Sequence, residues 1–155
     1  MNNASMKIIC TDLPYVDSAE LFGKVEDQPW AMLLDSGGID TNELGKKESG
    51  DDVSKHANFD VLAINPTLTL VFDGQQTRYT NATVEESLLG DPLDILKAAV
   101  PTIENPDQYA YVPGAIGYFS YDLGRRFETL PDTTDDDENL PLMAVGLYEW
   151  AVVVD

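Results

Sequence analysis

The chain has 155 residues, 28 of them acidic and 9 basic, for a formal net charge of -19. Such a balance excludes a nucleic-acid binder, which needs clustered Lys and Arg to release counterions, and disfavours an anionic membrane surface. The length fits one domain or part of a larger one, burying roughly 68–70% of its unfolded surface, and the carboxylates read as a well-solvated exterior.

Met6 to Cys10 reads as a short first strand, and Cys10, in the apolar run Ile8-Ile9-Cys10, as a buried structural thiol. A lone cysteine implies no disulfide and so no oxidising compartment. The N-terminus lacks a basic-then-apolar signal pattern, and no apolar run approaches the ~20 residues of a membrane span, so a cytoplasmic location is expected. Asp17 to Phe22 gives a helix start with an acidic first turn. Trp30 to Leu34 is a continuous apolar run between Pro29 and Asp35-Ser36-Gly37-Gly38, which predicts a buried strand ending in a tight loop. Ile39 to His56 turns polar without periodicity and reads as a long exposed loop.

Phe59–Ile64, Thr67–Phe72 and Gln76–Thr80 read as three successive strands, with Asp73-Gly74 as a hairpin-turn signal between the last two. Asp91 and Pro92 supply the N-cap and first position of a helix reaching about Val100, with Leu93, Leu96 and Val100 at helical spacing. Ala115–Ser120 reads as a strand, Tyr121–Leu130 as a short helix and Thr133–Asn139 as an acidic loop. Leu142 to Val154 is one long, nearly continuous apolar run. A buried strand reaching Asp155 without cap or polar tail suggests the front part of a longer polypeptide.

Constellations that could carry chemistry are few. His56 is the only histidine and sits in the polar loop with no partner ligand at a recognised spacing, so no metal site is expected. Three consecutive aspartates in Thr134–Asn139 lack the alternation and glycine of a calcium loop. Gly114 and Gly117 match no phosphate-binding signature, and a glycine within a strand marks a close approach by another backbone. Ser36 and Ser120 have no nearby histidine to activate them. Arg125 and Arg126 stand side by side in this acidic chain. With Asp122 as the expected N-cap, Arg126 falls four residues on and shares its helix face, while Glu128 and the acidic loop lie near Arg125. Two readings follow: structural ion pairing, which is favoured, and binding of a substrate carboxylate.

Several stretches together resemble one family: "PWAMLLDSG" (Pro29–Gly37), "GAIGYFSYDLGRRFETLP" (Gly114–Pro131) and "LPLMAVGLYEWAVVVD" (Leu140–Asp155), with "NFDVLAINP" (Asn58–Pro66) and "DPLDILKAAV" (Asp91–Val100) fitting the same pattern. They are similar to the N-terminal region of the aminodeoxychorismate synthase component I family, also called para-aminobenzoate synthase component I, relatives of anthranilate synthase component I. The resemblance implies an α+β fold of antiparallel β-sheets with helices packed outside. Residues 1–155 would then be the N-terminal domain of a longer synthase, with residues 39–56 as an exposed loop and the C-terminal chorismate-binding catalytic domain absent. It implies an enzyme that makes 4-amino-4-deoxychorismate from chorismate and glutamine-derived ammonia, for para-aminobenzoate and folate synthesis. Magnesium would be needed by the full-length enzyme, but no cofactor, metal or catalytic residue belongs to this part, which alone would be inactive. The implied partners are the chain's own C-terminal domain and a glutamine amidotransferase subunit. A tryptophan-like ligand would lie at Leu34, Asp35 and Ser36, which with Leu33 match the relatives' Leu-Leu-Glu-Ser stretch with Asp in place of Glu. Arg125, Arg126 and Asp122 would be structural. The competing readings are an anthranilate synthase N-terminal domain and a stand-alone amino-acid-sensing module.

Overall fold

The computed structural model describes residues 6–37, 59–104, 114–129 and 139–154. The expected loop at 39–56 with His56, and the expected acidic loop up to residue 138, lie outside the described residues. The architecture is α+β and dominated by antiparallel pairing, as the resemblance implied.

A five-stranded sheet forms the centre. Its strands are β4 (Leu68–Phe72), β5 (Thr77–Asn81), β6 (Glu85–Leu88), β8 (Ala115–Phe119) and β9 (Met143–Leu147), ordered β6-β5-β4-β9-β8 and antiparallel throughout. Strand alternation explains the core. Leu68, Leu70 and Phe72 face one side of β4, and the register sets them directly opposite Leu147, Val145 and Met143 of β9. All six are buried, and Leu123 joins them. Helix α2 (Pro92–Ala99) covers this face with Leu93, Ile95, Leu96 and Ala99. Asp91 caps it as predicted, its Oδ1 accepting from the Leu93 N–H at 2.8 Å, with Pro92 at the first helical position. Val100 is the exposed C-cap rather than a packing residue.

The opposite face of the central sheet meets a second sheet of three strands, ordered β10-β3-β2: β2 (Met32–Leu34), β3 (Asp60–Ala63) and β10 (Val152–Val154). Val61 and Ala63 pack with Ile116 and Tyr148, flanked by Met32 and Ala151. The layers run helix, sheet, sheet. A parallel pair, β1 (Met6–Lys7) with β7 (Ile103–Glu104), stands apart. Helix α1 (Ser18–Phe22) buries none of its residues and is capped by the Asp17 carboxylate.

Two glycines are required by geometry. Gly74 adopts φ 102° in the β4–β5 turn, where Asp73 Oδ1 accepts from Gln75 and Gln76 N–H, both at 2.9 Å. Those two N–H groups, Gln76 first, hold the Asp73 carboxyl below its usual range. At Gly117 a Cβ would lie 2.1 Å from the Ala144 carbonyl oxygen, so β8 and β9 approach there as only glycine permits.

Four expectations are corrected, and one strand that no expectation covered is found. The apolar run 142–154 is two strands in two different sheets, broken at Tyr148–Ala151. Trp30–Leu34 is not a buried strand: β2 begins at Met32 and lies at a sheet edge, and Leu34 is 48% exposed. The first strand ends at Lys7, so Ile8 to Val16 joins no ladder and Cys10 is exposed. The strand that no expectation covered is β6, which follows Val84 and whose acidic and exposed residues gave no alternating apolar signal. The helix after β8 is a 3₁₀ helix, Tyr121–Arg126, with Ser120 rather than Asp122 as its N-cap. No helix among the described residues is long and apolar enough to cross a membrane.

Candidate functional site

The 3₁₀ geometry decides how the arginine pair is used. With three residues per turn, positions i and i+3 eclipse, so Asp122 meets Arg125 and not Arg126. Asp122 Oδ1 accepts from Arg125 Nε at 2.7 Å. Arg126 turns toward the sheet: its guanidinium sits 5.1 Å from the Phe72 ring centroid, and its Nη2 lies 3.8 Å from Asp91 Oδ2. Asp91 thus caps α2 with one oxygen and faces Arg126 with the other. The pair joins the 3₁₀ helix to α2 across the edge of the core, and all of these contacts are internal to the chain.

The residues singled out for ligand binding lie where β2 ends. Leu34 pairs with Val61 of β3. Asp35 Oδ1 accepts from the Gly37 N–H at 2.7 Å, and Gly37 takes φ 78°, which closes the predicted tight loop. Ser36 points to β3, where Asp60 Oδ1 accepts from its backbone N–H at 2.8 Å and its hydroxyl at 2.9 Å. The other Asp60 oxygen accepts from the Ser18 hydroxyl of α1. Asp60 therefore ties three segments together. The Ser18 hydroxyl first, then the Ser36 N–H and hydroxyl, hold its carboxyl below the usual carboxylate range.

This arrangement leaves definite chemistry for a visitor. The Ser36 hydroxyl has spent its proton on Asp60 and retains acceptor lone pairs. The Asp35 carboxylate is exposed, and Leu34 offers an apolar surface beside it. An ammonium group with an apolar body is the natural match for these three residues. Asp60 escaped the sequence reading because its partners are 24 and 42 positions away; the one available signal was a carboxylate opening an otherwise apolar strand.

A larger concavity, of about 980 Å³, lies elsewhere, between the segment 8–16 and the 147–154 stretch, with Leu68 and Ile103 in its wall. Leu34, Asp35 and Ser36 lie outside it. A smaller cleft of about 350 Å³ is lined by Trp30, Pro66 and Thr80 among others. The two sheets are pinned between these concavities: the Tyr148 hydroxyl donates to the Trp30 carbonyl oxygen at 2.8 Å, and Trp30 holds φ 58°. Among the described residues no group of three or more His, Cys, Asp or Glu side chains could hold a metal ion.

Comparison with known proteins gives a consistent picture. The chain is 42% identical to aminodeoxychorismate synthase component 1 of Salmonella typhimurium, over 90% of this chain and 29% of that protein. Against the protein of the same name from Escherichia coli it is 37% identical, again over 90% and 29%. Anthranilate synthase component 1 of Acetivibrio thermocellus is 32% identical over 78% of this chain and 23% of its own length. Among solved structures, anthranilate synthase component I of Streptococcus pneumoniae superposes with a TM-score of 0.55 at 23% identity, covering 76% of this chain and 27% of that one, which shows a shared fold. No family model matches the chain. The chain spans under a third of the length of these relatives, and the matched part is their N-terminal region.

Proposed function

We propose that this chain, a relative of the N-terminal region of aminodeoxychorismate synthase component 1, is the non-catalytic front part of such a synthase. The longer protein would form 4-amino-4-deoxychorismate from chorismate and glutamine-derived ammonia, with magnesium and a glutamine amidotransferase subunit serving the part beyond residue 155. The observation that carries this reading is identity of 37–42% sustained over 90% of the chain, against 32% over 78% for the Acetivibrio anthranilate synthase. Sequencing the gene past Asp155 is the first test. A continuing frame of two further domains' length, at ~100–200 residues per domain, supports the synthase; a stop codon supports a stand-alone module. Product analysis of the full-length protein with chorismate and ammonia then separates the two synthases, since anthranilate as the product would overturn the assignment.

Within this part, Leu34, Asp35 and Ser36 hold an amino-acid ligand of tryptophan type. What supports this is their exposure at a strand end and the fixed orientation that Asp60 imposes on Ser36. Asp35 faces the ligand's ammonium, Ser36 accepts from it, and Leu34 meets the ring. Thermal unfolding of the full-length protein with added tryptophan checks this. A rise in melting temperature that is lost in Asp35→Ala supports the site, and no shift in the wild type removes it.

A further inference from the structure

We propose that Asp60, a residue of β3, sets which ligand group the end of β2 accepts. By drawing both donors of Ser36 to itself, it makes that end select an amine and turn away a carboxylate. Asp60 is thus a positioning residue acting through Ser36, a role that rests on the reading of Leu34, Asp35 and Ser36 as the seat of an amino-acid ligand.

The donors of Ser36 and Gly37 can be followed one by one. Ser36 owns two, its N–H and its hydroxyl, and Asp60 Oδ1 accepts from both, at 2.8 and 2.9 Å. Gly37 owns one, its N–H, which Asp35 Oδ1 accepts at 2.7 Å. A hydroxyl has a single proton, so the Ser36 Oγ has only lone pairs left to offer. Asp35 adds an exposed carboxylate, an acceptor without a donor of its own when ionised. A ligand ammonium therefore meets acceptors here. A ligand carboxylate meets a like charge and finds no donor on Ser36 or Gly37, so it has to be held by other residues.

Asp60 is itself fixed from a second side. Its other oxygen accepts from the Ser18 hydroxyl of α1, a helix that buries none of its residues. Held by α1 and by the loop at once, the carboxylate keeps its Oδ1 at Ser36. The same donors, Ser18 first and then Ser36, favour its ionised form, which accepts and does not donate. One bond, from the Ser36 N–H, would fasten the loop to β3. The second bond, from the hydroxyl, also settles what Ser36 can offer a ligand.

Calorimetric titration of the full-length protein with two indole probes tests this role. Tryptamine carries the amine and no carboxylate; indole-3-propionate carries the carboxylate and no amine. The wild type should bind tryptamine at least about tenfold more tightly, as a hydrogen bond to a charged group implies. Asp60→Ala returns both donors to Ser36, and that preference should shrink about tenfold. Asp60→Val, whose β-branched side chain suits a strand, takes its place if the alanine variant does not fold. Repeating the titrations at about 1 M salt, where screening acts within about 3 Å, separates donor supply from the bare charge of Asp60. A preference that survives the substitution overturns the role, and so does a loss that vanishes at high salt. Equal weakening of both probes shows a structural tie alone and overturns it too. Tryptophan is titrated alongside: if it binds while the two probes bind equally well to the wild type, only the role of Asp60 falls. If none of the three binds, the ligand reading falls and takes this role with it.

Discussion

Met143–Leu147 and Val152–Val154 lie four residues apart and look alike as sequence, yet the structure uses them in opposite ways. The first is wholly buried, paired on both sides by β4 and β8 and covered by α2 on one face. The second pairs on one side only and keeps Val153 41% exposed. Apolar composition states that a segment will be covered; it does not state by what. One strand lies at the centre of its sheet under α2, and the other stands at a sheet edge.

Matched substitutions sharpen this contrast. Val145→Ala removes two buried methyl groups from the centre of the core and should cost about 2–3 kcal/mol, read by denaturant unfolding. Loss of the Asp60 hub should cost less, about 1 kcal/mol in Asp60→Asn, since the site is open to solvent. That effect also has a pH signature. The folded carboxyl titrates below its unfolded value, so its contribution is present above the unfolded pKa of ~3.9 and is lost as pH falls through the depressed folded value. Stability plotted from pH 6 to pH 2 should therefore fall less steeply in Asp60→Asn than in the wild type; equal slopes would show that the carboxylate contributes nothing. Arg126→Ala, which removes one loose ion pair and one ring contact, should cost about 0.5–1 kcal/mol without altering the response to tryptophan proposed for Leu34, Asp35 and Ser36. Smallest of all, Val153→Ala should stay within ~0.5 kcal/mol in the 155-residue chain. A cost near that of Val145→Ala would show that β10 is already enclosed, and the contrast between the two strands would be lost.

Local chemistry made much of this fold legible. Asp73-Gly74 and Asp91-Pro92 act through bonds to residues two or three positions away, and both do what their residue types require. β3 and β4 were legible because their apolar residues face a covered surface, and β5 because the Asp73-Gly74 turn signal leads into it. β6 was not, because its only partner is a backbone ladder and its side chains meet water. Helical spacing paired Asp122 with Arg126, and the tighter 3₁₀ turn moved the bond to Arg125. The turn at Asp35–Gly37 could be read from its residues, whereas the Asp60 hub depends on strand pairing that brings distant positions together.

Asp91 illustrates a constraint that reaches past the helix it begins. One of its oxygens serves a backbone amide while the other faces the guanidinium of Arg126, thirty-five positions later. Serine or asparagine would satisfy the first duty and abandon the second. The choice of residue at that corner is therefore governed by two clients at once, and drift at position 91 is tied to what occupies position 126.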